Sequence, residues 1–178
     1  MTDSVSIGEQ VPWPGGEDYM LNLGLLVAHY HSLEFILRVY LQAQPTARPV
    51  GLQPGDSPYE YQVGEMLPEN ELTSFDSLGE LVQKVNLSLS ESDVEVIDPE
   101  IVKVRDALAH GRVSAPSLSK DIHLVKFGRP QNGQVRMEFN EIVSVEWLNQ
   151  KRINVVSVIK RVAALLPTHN NQINQGQG

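Results

Sequence analysis

The chain has 178 residues, of which 41% are hydrophobic and 20% are charged. This composition is typical of a globular domain and excludes a wholly disordered protein. The sequence contains no cysteine, which excludes a thiolate zinc site, a cysteine nucleophile and a disulfide framework. At this length a chain buries roughly 70% of its unfolded surface, so we expect one domain that needs no metal or disulfide.

The charge balance restricts the partners of the protein. There are 14 basic and 22 acidic residues, a formal net charge of −8. Because non-specific binding to duplex DNA depends on neutralising phosphates with Lys and Arg, we expect no duplex DNA partner. The N-terminus lacks a basic stretch followed by an apolar core, and no uninterrupted apolar run reaches about 18 residues. We therefore expect a cytoplasmic protein with no membrane contact.

The first long element is a helix that follows an N-terminal loop over residues 1–16. Residues 17–44 open with acidic side chains, which favour a helix N-terminus. One face of this helix carries Leu23, Leu26, Tyr30, Leu33, Leu37 and Leu41. Leu25, Phe35, Ile36 and Val39 widen that face. We therefore expect a central helix that is packed on several sides.

Residues 45–72 predict a long loop, because they hold five prolines and show no hydrophobic period. A helix is predicted from Asp76 to Leu89. Asp98-Pro99 then supplies an N-cap and a first-turn proline for a third helix, which ends at His110. We expect Gly111 to leave that helix in a left-handed conformation.

The C-terminal part predicts a hairpin and a last helix. Two strand-like runs flank Asn132-Gly133, a strong signal for a tight turn, and predict a β-hairpin over 122–140. Apolar residues recur at helical spacing over 144–166 and predict the last helix. Residues 168–178 predict a disordered tail. The expected fold is mainly α, a single domain over 17–167 with four principal helices and a hairpin before the last one.

Arg105 occupies an unusual position in the third helix. With Ile101 placed at zero, Arg105 falls at about 40°, inside the arc of apolar side chains. A guanidinium there needs a partner, a cavity or an interface, because an unpaired buried charge is costly. Glu34 on the first helix is a candidate partner, although it is also spaced for a surface ion pair with Arg38.

Asp106 and His110 are four residues apart on the opposite side of the same helix. Residues at this spacing are neighbours, so Asp106 can accept a hydrogen bond from the imidazole and fix its tautomer. Arg105 suits a phosphate clamp, Asp106 an orienting group and His110 a proton-transfer group. Equally, His110 can be an ordinary helix cap and Arg105 a partner of a structural carboxylate. The residue types alone leave both interpretations open.

The segment Arg105-Asp106-Ala107-Leu108-Ala109-His110 resembles the signature of HEPN-domain proteins: an arginine, a polar residue, and a histidine after four to six positions. The long first helix and the motif near the end of an inner helix are similar too. The resemblance implies a HEPN-like up-and-down bundle that forms a homodimer, with two motif copies facing each other across a two-fold axis. In that family arrangement Arg105 binds the scissile phosphate, His110 is the general acid/base and Asp106 supports the site.

Many HEPN proteins are metal-independent endoribonucleases, often toxins of toxin–antitoxin or phage-defence systems, and others are non-catalytic RNA-binding or scaffold modules. The resemblance therefore implies an RNA substrate, an antitoxin protein as a further partner, and no cofactor. The alternative is a non-catalytic helical dimer that retains Arg105 and His110 for structure.

Two further groups of residues complete the candidates. Basic side chains that suit RNA lie on the last helix and around the hairpin; they are Lys151, Arg152, Lys160 and Arg161, with Lys126, Arg129 and Arg136. An ordinary solvated surface is the alternative for all of them. His31 and Glu34 have a metal-ligand spacing, but no second matching pair occurs, so we expect no metal.

Overall fold

The computed structural model describes residues 15–51, 61–90, 93–114 and 121–167. These residues form α1 (Gly16–Gln42), α2 (Leu78–Leu89), α3 (Glu100–His110), β1 (Arg112–Ser114), β2 (His123–Phe127), β3 (Met137–Ile142) and α4 (Val145–Ala163). The predicted mainly helical class is confirmed, with four helices and a small sheet in the described part. Nearly all of the predicted N-terminal loop and the whole predicted tail, 168–178, lie outside the described residues.

The contacts divide the chain into two compact units. Of the described residues, the first unit holds those up to 27 and those between 103 and 152, and the second holds those between 28 and 102 and those from 153 onwards. Helices α1, α3 and α4 each contribute residues to both units.

The first unit contains an antiparallel sheet in the order β1-β2-β3. At the tip of the hairpin, Asn132 and Gly133 have φ of 51° and 75°. Two successive positive φ values define the type I′ turn that Asn-Gly favours, so the predicted hairpin is confirmed. Strand β1 was not predicted, because three residues are too few to show an alternating pattern. Leu124 and Phe139 are buried on one face of the sheet, and the other buried apolar side chains of this unit are Tyr19, Leu26, Val104, Ala107, Ile122, Val143 and Leu148.

The second unit is built around the predicted second helix. Ser77 caps α2 by a reciprocal arrangement with Glu80, in which each side chain accepts from the other residue's backbone N–H. The buried face of α2 consists of Leu78, Leu81, Val82, Val85 and Leu89. This matches the core face that the hydrophobic spacing predicted.

The segment between α1 and α2 has no helix or strand in its described part, but hydrogen bonds hold it in place. Arg38 of α1 donates to the Ser74 carbonyl at 2.9 Å and to the Asp76 carbonyl at 2.7 Å. Asn70 is 2% exposed and donates to the Val50 carbonyl, while its own side-chain oxygen accepts from two backbone N–H groups. The described part of the predicted loop, residues 45–51 and 61–72, is therefore held by hydrogen bonds within the second unit.

Helix α1 is buried along one stripe rather than on several sides. The predicted residues Leu26, Tyr30, Leu33, Leu37 and Leu41 are buried. The opposite face exposes large apolar side chains; these are Met20, Leu21, Leu25, Val27 and Phe35, from 37% to 61% exposed. The expectation of a helix packed on several sides is wrong for this chain, because the apolar residues outnumber the positions that the fold covers.

The length and apolar composition of α1 would also allow it to cross a membrane. The core helix of a globular protein has the same two properties, so they do not distinguish the two cases.

Candidate functional site

Arg105 lies at the margin of the buried face of α3, not in its middle. Val104 and Ala107 are 1% and 0% exposed, so the centre of that face is on their side of the helix. Arg105 is half-buried and its neighbour Ala109 is exposed. The expectation of a guanidinium in the centre of the apolar arc is wrong, because Ala109 counts as apolar in the sequence but contributes nothing to the core. Arg105 is nevertheless engaged by other residues of the chain.

His110 ends α3 and extends into solvent. Its side chain is 65% exposed, and its Nε2 lies 3.7 Å from Oδ1 of Asp106. The two side chains are neighbours, as the spacing predicted, but this distance is too long for a hydrogen bond.

Lys126 of β2 is the closest charged partner of Asp106. Its Nζ lies 2.8 Å from Oδ2 of Asp106 and 2.5 Å from Oε2 of Glu138, and the lysine side chain is 20% exposed. These hydrogen bonds, to Asp106 first and to Glu138 second, raise the pKa of Lys126. Asp106 therefore links α3 to the hairpin, a role that the sequence did not indicate.

A cavity of about 360 Å³ opens between α3 and the hairpin. Three basic and two acidic side chains line it, with the Phe139 ring; they are Lys103, Lys126, Arg136, Asp106 and Glu138. Of the predicted catalytic residues, Asp106 lines this cavity, whereas Arg105 and His110 do not. The structure thus brings His110 and Asp106 together at the end of α3, and Asp106 and Lys126 together in the cavity.

Gly111 follows His110, but the reason for a glycine differs from the expected one. Gly111 does not have a positive φ, so the predicted left-handed conformation is wrong. A Cβ at this position would lie 2.3 Å from the Ala107 carbonyl oxygen and 2.8 Å from Cδ1 of Leu124. The glycine is therefore required by the close approach of the end of α3 to β2.

The basic side chains of α4 have distinct environments. In the first unit, Lys151 Nζ lies 5.4 Å from the centre of the Trp147 ring, and Arg152 donates to the Asn149 side chain at 3.0 Å. In the second unit, Arg161 pairs with Glu95 and Lys160 is exposed. RNA binding by Arg161 would compete with that ion pair.

Glu34 is half-buried on the part of α1 that belongs to the second unit, and it too is engaged by other residues. Its role as a supporting residue for Arg105 stays a prediction. Among the residues that the structure describes, no three His, Cys, Asp or Glu side chains gather closely enough to hold a metal ion.

Basic and acidic residues are unevenly distributed along the chain. The sequence contains this pattern, but the net charge of the whole chain does not show it. Residues 103–152 hold nine of the 14 basic residues and five of the 22 acidic ones, a net charge of +4 (9 − 5). The remainder of the chain then carries a net charge of −12 (5 − 17). This basic segment contains the Arg105–His110 motif and the whole sheet.

No protein-family model matches the chain, and no curated protein or solved structure matches it.

Proposed function

We propose that the protein is an RNA-directed, metal-independent endoribonuclease of the HEPN kind, with Arg105 and His110 as its catalytic residues. The observation that carries the proposal is the state of His110. Its imidazole is 65% exposed and, within the described part of the chain, forms no hydrogen bond. A histidine that served only to cap α3 would donate to backbone carbonyls. His110 is instead accessible to a substrate.

The chemistry needs only groups that the motif supplies. The ribose 2′-hydroxyl attacks the adjacent phosphorus, its proton passes to an imidazole, and the bond to the 5′-oxygen of the next nucleotide breaks. The products are a 2′,3′-cyclic phosphate and a 5′-hydroxyl, so no water or cofactor is consumed. His110 serves as the general base, and Arg105 binds the phosphate oxygens through its planar fork of donors.

A homodimer completes this site. One imidazole cannot take the proton of the 2′-hydroxyl and protonate the leaving oxygen in the same step, whereas two copies can divide these tasks. The exposed apolar side chains of α1 support self-association, because apolar patches on a protein surface commonly mark interfaces. Gly24 and Ala28 lie among these side chains and would allow two helices to approach closely. A second copy of α1 is thus the occupant that we propose for this face.

The basic segment 103–152 supports an RNA substrate despite the acidic whole. Its net charge of +4 attracts phosphates locally. The net charge of −12 on the rest of the chain disfavours binding to an extended duplex. Lys151, Arg152, Lys160 and Arg161 remain candidate RNA contacts. The proposal further includes a cytoplasmic role in a toxin–antitoxin or defence system, with an antitoxin protein as partner.

The test is digestion of a labelled single-stranded RNA by the purified protein with a chelator present. We expect His110→Ala and Arg105→Gln to lower the cleavage rate at least ~100-fold. The melting temperature of His110→Ala should fall by less than about 2 °C, because the side chain is exposed. Gln83→Ala, an exposed polar residue of α2, is the matched control. Cleavage that survives in His110→Ala, or that requires a divalent metal, would contradict the proposal.

The alternative function is a non-catalytic helical dimer or interaction module. The observation that favours it is that Asp106 pairs with Lys126 and forms no hydrogen bond with His110. This alternative predicts a stable dimer that yields no cyclic-phosphate product. It also predicts that Arg105→Gln lowers the melting temperature, because Arg105 would then serve only a structural role.

A further inference from the structure

The three-stranded sheet has a second face that is not part of the core. Its register places the side chains of Arg112, Ser114, His123, Val125, Phe127, Asn140 and Ile142 on the side opposite Leu124 and Phe139. Leu124 and Phe139 are buried, so this second side is the outer face. On it Phe127 and Ile142 are 37% and 49% exposed.

The outer face combines apolar surface with positive charge. The guanidinium carbon of Arg112 lies 5.5 Å from the centre of the Phe127 ring. None of the side chains on this face is acidic. An aromatic ring beside an arginine plane is a surface on which unpaired nucleobases stack.

The tip of the hairpin adds two further cations beyond the end of this face. Arg129 and Arg136 are exposed, and neither pairs with a carboxylate of the described residues. They line a depression of about 440 Å³ together with the side chains of Gln131 and Gln134. The nearby carboxylate of Glu138 is neutralised by Lys126. The tip therefore presents guanidinium and amide donors suited to phosphate oxygens.

The outer face begins immediately after the candidate catalytic histidine. Only Gly111 separates His110 from Arg112, so their Cα atoms are at most about 7.6 Å apart. The backbone of Arg112 is therefore close to that of His110, so RNA bound along the outer face would approach the end of α3.

We infer that the outer face of the sheet is a binding site for single-stranded RNA that feeds the strand to His110. Bases stack on Phe127 and on the guanidinium plane of Arg112, and phosphates bind Arg129 and Arg136. This inference rests on the proposed ribonuclease function. The RNA is single-stranded because stacking on side chains requires bases that are not already paired and stacked in a duplex.

The binding test uses fluorescence anisotropy of a labelled 12-nucleotide RNA with the His110→Ala protein, so that cleavage does not consume the probe. Phe127→Ala should weaken binding about 10-fold through the lost stacking. Its control is Phe75→Ala, a fully exposed phenylalanine of the second unit. The same RNA in duplex form should bind at least ~10-fold more weakly.

The phosphate contacts are tested by Arg129→Gln/Arg136→Gln, with Arg48→Gln as control. Each lost contact to a single strand should lower the slope of log K against log salt by about 0.7, so the double variant should lose about 1.4. This slope is unaffected by a small change in stability. An unchanged affinity and slope in these variants would overturn the inference, as would a change in oligomeric state without a change in RNA affinity.

The two proposals can fail separately. If the wild-type protein cleaves RNA and the sheet variants bind and cleave like wild type, the ribonuclease function stands and the sheet site is wrong. If the wild-type protein does not cleave RNA but the sheet variants lose binding as described, the sheet site stands and the catalytic proposal fails.

Discussion

Lys126 and Asp106 form an ion pair at 2.8 Å that joins the hairpin to α3, four residues before the helix ends at His110. The lysine also binds Glu138 across the hairpin, so one ammonium group holds two carboxylates. Because both carboxylates contact this one ammonium group, removal of the lysine leaves them close together without it. The ion pair thus connects the helix that carries the Arg105–His110 motif to the sheet.

A double-mutant cycle should measure the Lys126–Asp106 interaction. We expect Lys126→Met to lower the free energy of unfolding by about 1–2 kcal/mol, with a coupling of about 1 kcal/mol to Asp106→Asn. Urea unfolding of the two single variants and the double variant provides the measurement. Effects of the two substitutions that simply add would show that the pair contributes nothing to stability.

Gly111 should tolerate no side chain. Because a Cβ would overlap the Ala107 carbonyl oxygen and the Leu124 side chain, we expect Gly111→Ala to destabilise the protein by about 2–4 kcal/mol. Gly79→Ala is the control. Its Cβ would meet Val102 at 3.5 Å, an ordinary contact, and alanine favours the helix, so it should stabilise by up to about 1 kcal/mol. Similar melting temperatures for the two variants would contradict this account.

The stability of the second unit should depend on pH through Asp76. Hydrogen bonds from Lys84, and then from Ser74, hold the pKa of Asp76 below its ordinary value of 3.8. A lowered folded-state pKa stabilises the protein above that ordinary value, and this contribution is lost as the pH falls through the folded-state pKa. Asp76→Asn should therefore cost about 1 kcal/mol at pH 7 and less at pH 3, which lies below that ordinary value.

Urea unfolding of wild type and Asp76→Asn at both pH values checks this dependence. Asp93→Asn removes an exposed carboxylate of the same unit and controls for the change in net charge. A difference between wild type and Asp76→Asn that stays constant from pH 7 to pH 3 would argue against the ion pair as its cause.

The proposed homodimer should dissociate when the exposed face of α1 becomes charged. Leu21→Asp places a carboxylate among apolar side chains that the dimer would bury, so the dimer dissociation constant should rise at least ~100-fold. Light scattering coupled to gel filtration measures the mass directly. Leu87→Asp, an equally exposed leucine of α2, should leave the mass unchanged. A wild-type protein that is monomeric at all concentrations would disprove the dimer.

Much of the secondary structure was predictable because its signals are local. Asp98 accepts a hydrogen bond from the Glu100 N–H at 2.9 Å and begins α3 as expected from Asp98-Pro99. Asn132 and Gly133 form the turn of the hairpin for the same kind of reason, since few other residues adopt two successive positive φ values. The second helix begins at Leu78 rather than Asp76, because Ser77 and Glu80 form the cap.

The candidate site was predictable only in part. The four-residue spacing correctly made Asp106 and His110 neighbours, since helix geometry is set by the sequence interval. The spacing could not show that Lys126, twenty residues later, would take Asp106 as its partner. Nor could it show that the buried side of α3 would be that of Val104 and Ala107, leaving Arg105 at its margin.

The sequence by itself determined the helices, their caps, the tight turn and the segregation of charge, because each depends on residues that are close along the chain or on composition alone. Tertiary structure decided which apolar residues of α1 are covered, why Gly111 must be glycine, and which side chains form the outer face of the sheet. These features depend on contacts between segments far apart in sequence, and such contacts exist only after the chain has folded.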